Sequence, residues 1–316
     1  MAAPAPQAAG AGATTTLDTE QLHVALQHSF SPDAAVRLPA EATIKSLKHV
    51  KGAVTMLLQV AAERQVQYEV RQAAAIQLKN ICRECWVERL SFGAAMAASA
   101  ADGDNSKKPP LLDEEDKIGL RTTLVEALLA EPEKSVRDLL AETLHSMAIH
   151  DFPDKWPNLL PTLLNQIAQS SDGSQALRVH NALLALRKIC KRYEYKSKEQ
   201  RGPLNDIVLQ SFPLLLPLAQ RLSGTNEHSL EAAMMLKQIL KIFWSSTQFY
   251  LPSGVGGNDG GGGGGGGQST AENAGGAAFR PEKMQPWFDI LRAVLIKPLP
   301  EASTGLEPRN QPTSVE

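Results

Sequence analysis

The sequence predicts an all-α chain, an α-solenoid built from tandem helix pairs, and three observations carry that expectation. Apolar residues recur three or four positions apart through most of the chain, the spacing of one helix face, and no segment alternates in the manner of a strand. Hydrophobic residues make up 43% of the 316 residues but aromatics only 5%, a balance that suits helices packed on helices better than β architecture. The helical segments follow one another with short links in pairs of roughly 40 residues, the period of HEAT and armadillo-type repeats.

Composition removes several functional classes. The formal net charge of −2 gives no global attraction to a polyanion, so no direct nucleic-acid partner is expected. Cys82, Cys85 and Cys190 are too few for a disulfide framework and imply a reducing compartment. The opening MAAPAPQAAGAGATTT lacks the basic region and apolar core of a secretory signal, and no apolar run is long enough to span a bilayer, so no membrane partner is expected.

Residues 1–16, uncharged and aperiodic, read as a disordered tail. Leu17, Leu22, Val24, Ala25 and Phe30 mark a first helix that ends before Ser31-Pro32. A second runs from about Asp33 to Val50 with Ala34, Val36, Ala40, Ile44 and Leu47 as core candidates, and Pro39 either kinks it or starts it. A third covers about Lys51 to Glu63 with Val54, Leu57, Leu58 and Ala61. The fourth, Glu69 to Trp86, organises the chain: Val70, Ala73, Ala74, Leu78, Ile81 and Cys85 form one stripe. Arg71, Gln72, Lys79, Asn80 and Glu84 fall elsewhere around that helix.

Residues 91–110 break the rhythm as a small, polar, flexible insertion. Helices resume at 111, with Asp113 to Asp116 placing acids at a helix N-terminus, where the macrodipole favours them. Ser135 with Asp138 resembles a capping box, and Val136, Leu139, Leu140, Thr143, Leu144 and Met147 follow it. DFPDKWP, Asp151 to Pro157, turns the chain into the next pair, whose second helix runs from about Gln175 to Tyr193. Pro203 to Leu222 and Glu227 to Tyr250 make another pair, so helix pairs continue through residue 252. Residues 253–278 contain an unbroken glycine run from Gly260 to Gly267 and read as a disordered linker. Residues 279–300 begin one more repeat around Trp287, Ile290, Leu291 and Leu295, and 301–316 read as a loop.

No catalytic constellation emerges, and the chain is expected not to be an enzyme, with no cofactor. Cys82-Arg-Glu-Cys85 has the spacing of a zinc or thiol-exchange pair. It lacks a second matching pair and sits in a strong helical pattern, so it reads as two buried helix residues, and no metal site is expected. Asp151 and Asp154 read as turn formers and caps rather than an acid–base pair. Arg187, Lys188, Lys191, Arg192, Lys196, Lys198 and Arg201 form a dense basic cluster, read as a solvated helix end and loop.

Three motifs in order carry a resemblance. Glu41 to Trp86, ending VRQAAAIQLKNICRECW, resembles the importin N-terminal domain of importin-β (karyopherin-β) nuclear transport receptors, placing that domain at 17–90. Asp151-Phe-Pro-Asp-Lys-Trp156 resembles the D-[FY]-P-x-x-W turn of the same receptors. Lys191-Arg-Tyr-Glu-Tyr-Lys196, followed by Glu199-Gln-Arg-Gly-Pro-Leu204, resembles the importin-seven/eight subgroup.

The resemblance implies HEAT repeats with an outer and an inner helix each, and a receptor that shuttles between cytoplasm and nucleus through the pore. It implies partners in the GTP form of the small GTPase Ran, in protein cargo, in phenylalanine-glycine nucleoporins, and in importin-β as a heterodimer partner. Carried over by motif, the helix ending at Trp86 faces Ran, with Arg71, Lys79 and Asn80 as candidate contacts. Trp86, Asp151, Trp156, Tyr193 and Tyr195 are carried as structural motif residues. The alternatives are an exportin-type receptor on the same scaffold and a HEAT scaffold outside transport. Members of the family are much longer, so the chain reads as an N-terminal portion or a truncated gene model.

Overall fold

The computed structural model describes residues 18–88, 110–224, 229–249, 251, 252, 255 and 281–297, and among them only helices and turns occur. The segments read as tail, insertion, glycine-rich linker and final loop lie outside the described residues, apart from Pro110 and Val255. The chain divides into two compact units, residues 1–127 with 133–143, and 128–132 with 144–316.

In the first unit α1 (Thr19–His28) starts at a capping box, with Asp18 accepting from Gln21 N at 2.7 Å and the Gln21 side chain accepting from Asp18 N. Leu22, Ala25 and Leu26 are its buried residues, while Val24 and Phe30 remain exposed. α2 (Ala34–Ser46) is capped by Asp33 and passes through Pro39 five residues after its start, so that proline does not begin the helix. Of the expected α2 core only Ala40 and, in the 3-10 turn Leu47–His49, Leu47 are buried; Ala34 and Val36 are exposed. The reason is partnership: α2 packs on α1 and its own 3-10 turn, which leaves most of its surface open.

α3 (Ala53–Ala62) and α4 (Tyr68–Cys85) pack as an antiparallel pair, and α1 lies against both. Gly52 caps α3 with φ 79°, a left-handed conformation that favours glycine. Its N–H donates to both carboxylate oxygens of the buried Asp116 at 3.1 Å, and the charge meets the positive end of α3. Asp116 comes from the first turn of α5 (Glu114–Ala130). The acids expected to serve their own helix therefore also bind other groups. Lys51 Nζ lies 3.3 Å from Asp113 and 2.7 Å from Glu115, and Arg121 pairs with Glu114 at 2.8 Å.

α6 (Lys134–Asp151) starts one residue before Ser135, and Asp138 ion-pairs with Lys134 at 2.8 Å. That i,i+4 pair replaces the expected capping box.

In the second unit α7 (Leu159–Ala168) pairs with α8 (Ala176–Lys191), and α9 (Gly202–Gly224) pairs with α10 (Leu230–Thr247). α7 also meets α9, and α8 meets α10, so first helices pack on first helices and second on second. α11 (Pro281–Ile296) packs on α9. Phe212, Phe243 and Trp287 close this end, with ring centroids 4.7 Å apart for Phe243–Trp287 and 5.0 Å for Phe212–Trp287.

Candidate functional site

α4 is the helix on which the sequence places a binding surface. Val70, Ala74, Ala75, Leu78, Ile81, Cys82 and Cys85 are buried, so Ala75 takes the place in the stripe that Ala73 was expected to fill. Arg71 departs from expectation more sharply. Its side chain is 4% exposed, and Nε donates to the carbonyl oxygen of Ala61 at 2.9 Å.

The physical cause is helix termination. α3 ends at Ala62, its last carbonyls have no partner within the helix, and the C-terminal end of the macrodipole favours a cation. Arg71 is thus a buried cap of its partner helix and not an exposed contact residue. Lys79 and Asn80 are half-buried and retain accessible surface. Arg83, four residues after Lys79, is exposed on the same face, and Gln72 and Ile76 are half-buried there. Sequence reasoning passed over Arg83, although the i,i+4 spacing from Lys79 was present to be read.

The structural motif residues divide in the same way. Trp86 is buried, with Lys117 Nζ 5.9 Å from its ring centroid. Asp151 and Trp156 are buried, and the Asp151 carbonyl accepts from Lys155 N at 2.7 Å and Trp156 N at 3.0 Å, which closes the DFPDKW turn. Tyr193 is buried, and burial raises its phenol pKa above the usual value. Tyr195 is 78% exposed and touches Phe249 at a centroid distance of 5.8 Å, so it lies at the surface while Tyr193 belongs to the core.

Cys82, Cys85 and Cys190 are buried thiols outside any disulfide. Burial pushes the Cys82 and Cys190 thiols up, Cys190 to about 12, which leaves them protonated and unreactive at neutral pH. Among the described residues no group of three or more His, Cys, Asp and Glu is placed to hold a metal ion. No described helix is long and apolar enough to cross a membrane.

The basic cluster around α8 resolves into two groups. Arg192 Nη1 donates to the Ala148 and Phe152 carbonyls at 2.9 and 2.8 Å, and Arg201 Nη2 donates to the Ser246 carbonyl at 2.7 Å. Both repeat the service that Arg71 performs, closing the C-terminal ends of α6 and α10. Buried Asn181 does the same without charge, donating to the carbonyls of Leu128, Leu129 and Glu131 at 3.0, 3.1 and 2.9 Å. Of the other cations, Lys196 is exposed in the turn after α8, whereas Arg187 and Lys188, half-buried, and Lys191, exposed, stand on α8, which packs against the helix that bears Lys237 and Lys241, α10.

Residues 40–130, the segment that contains α3, α4 and α5, match the family model of the importin-beta N-terminal domain. The chain is 30% identical over 235 residues to importin-8 of Danio rerio, covering 73% of this chain and 21% of that protein. It belongs to the importin-β family. This importin-β family chain is also 29% identical over 224 residues to the importin beta-like SAD2 homolog of Arabidopsis thaliana, covering 71% of itself and 19% of that protein. It therefore spans about a fifth of the length of the curated relatives it matches. Among solved structures it resembles the exportin Cse1 in its cargo-free, cytoplasmic state, with TM-score 0.57, 19% identity, and coverage of 72% of this chain and 23% of that one. That likeness gives the fold, the α-solenoid of HEAT repeats that the helical periodicity predicts.

Proposed function

We propose that this chain is the Ran-facing end of a nuclear import receptor that shuttles between cytoplasm and nucleus and carries protein cargo through the pore. The observation that carries the reading is the importin-beta N-terminal domain match over residues 40–130, which ends its first half on α4 with Lys79, Asn80 and Arg83 accessible. The GTP form of Ran docks on this face, and Lys79 and Asn80 supply polar contacts, with Arg83 added to them and Arg71 removed. Cargo, phenylalanine-glycine nucleoporins and importin-β as a heterodimer partner bind the receptor of which this chain is a part. The mechanism is coupled binding: Ran and cargo each change the other's affinity by the same factor.

An exportin-type receptor is the second reading, favoured by the structural likeness to Cse1. The two differ in sign. Cargo affinity falls with Ran-GTP in an import receptor and rises in an export receptor.

The test is binding of this chain to Ran loaded with a non-hydrolysable GTP analogue or with GDP. Preference for the GTP form, reduced at least tenfold by Lys79→Glu with Arg83→Glu, supports the proposal. Equal affinity for both forms in a chain that is helical by circular dichroism overturns it.

A further inference from the structure

The second unit carries a charge segregation that the Ran reading does not use. α8 has the sequence ALRVHNALLALRKICK, without an acid, and α10 has one acid, Glu231, six residues before Lys237. These two helices pack extensively against each other. Their contact brings Arg187, Lys188 and Lys191 together with Lys237 and Lys241, although the chain as a whole is formally −2.

Arg187, Lys191, Lys237 and Lys241 have no ion-pair partner among the described residues. His145 Nδ1 lies 2.9 Å from the Lys188 carbonyl, so it carries the proton there, and Glu194 follows in the turn after α8. Repulsion from Arg187 first, then burial and Lys237, Lys191 and Lys188, lowers the Lys241 pKa. A surface that holds unneutralised cations against one another is favourable ground for an anionic partner.

Trp244 lies one turn beyond Lys241 on the same face of α10 and is 60% exposed, while Trp86, Trp156 and Trp287 are buried. An open indole beside cations seats an apolar or aromatic side chain next to carboxylates. We propose that the α8–α10 face is a docking site for a short acidic segment of a partner protein, its carboxylates on Arg187, Lys191, Lys237 and Lys241 and an aromatic residue on Trp244.

Dimensions favour a peptide over a nucleic acid. Cations one helical turn apart are separated by roughly 6 Å along the axis, and packed helices by about 8–10 Å, so the patch accommodates a few carboxylates. It is short for a track along a phosphate backbone, and the net negative charge of the chain repels the remainder of such a ligand.

The experiment measures binding of a fluorescein-labelled peptide of six Asp and Glu residues around one Phe, by polarisation, to this chain. A labelled ten-nucleotide oligouridine is the competitor class, and intrinsic fluorescence follows Trp244. The expected result is peptide binding that weakens with salt, shifts the tryptophan emission, and falls at least tenfold in Lys237→Glu with Lys241→Glu. The control, Lys45→Glu with Lys155→Glu, changes net charge equally at exposed sites elsewhere and retains binding. Loss of affinity in the control to the same extent, tighter binding of the oligouridine, or no binding by a chain that melts as the parent does each overturns the proposal. Ran binding is read separately, so failure here leaves the α4 reading standing.

Discussion

Arg71 on α4 and Lys241 on α10 are both cations on helices of 18 residues, yet they live in opposite surroundings. Arg71 is enclosed and bonded to a carbonyl at the end of α3. Lys241 is half-open and surrounded by Arg187, Lys237, Lys191 and Lys188. The difference teaches that a cation's role in this fold follows from which helix end lies opposite it. Where an unsatisfied C-terminus faces it, the charge is absorbed into the structure; where another cationic helix faces it, the charge stays available.

The largest expected effect tests the enclosed side in alkali. Cys190 is held protonated to about 12 against an ordinary value of 9.0, with burial as the main cause. The folded state therefore keeps its proton while the unfolded state loses it, so the stabilisation is complete below pH 9.0 and is lost as pH rises to about 12. Wild-type stability should fall by several kcal/mol relative to Cys190→Ala over that window, as urea unfolding at stepped pH would show. Parallel curves for the two proteins would mean the thiol is not enclosed.

A middle effect compares the two cations directly. Arg71→Ala strips the Ala61 carbonyl of a buried donor and should cost about 1–3 kcal/mol in chemical denaturation. Lys79→Ala on the accessible side of the same helix should change stability by less than about 0.5 kcal/mol. Equal losses would erase the distinction between cap and contact surface.

The smallest effect has the opposite sign. Lys241→Gln removes one charge from a like-charged cluster and should raise stability by a few tenths of a kcal/mol at low salt. The gain should shrink as salt screens the cluster. Thermal melts at two ionic strengths decide it.

Much of the fold was legible because helical periodicity is a local property. The bounds of α4 and α8, the inner positions Val70, Leu78 and Ile81, and the burial of Trp86 and Trp156 follow from residues close in sequence. Leu38 at 59% exposed and the open face of Val36 show where locality fails, since pattern alone does not say which parts of α2 a neighbouring helix covers. Arg71 misled for a related reason. An arginine on the polar side of a helical wheel looks solvated until the end of another helix is placed beside it.

The candidate surface was legible to a smaller degree. Lys79 and Asn80 stayed accessible, and the α8 cations were visible as a run, but Lys237 and Lys241 lie about fifty residues away in the chain and join that run only through helix packing. The same packing withdraws Arg192 and Arg201 into carbonyl caps.

By itself the sequence determined that the chain is helical, where most of its helices lie, and which family its motifs match. Those depend on periodicity and on residue types at fixed spacing. Tertiary structure alone decided which polar groups are consumed and which remain open. A hydrogen-bonding or charged side chain is settled by the groups within a few ångströms of it, and in a stack of helices those groups come from elsewhere in the chain.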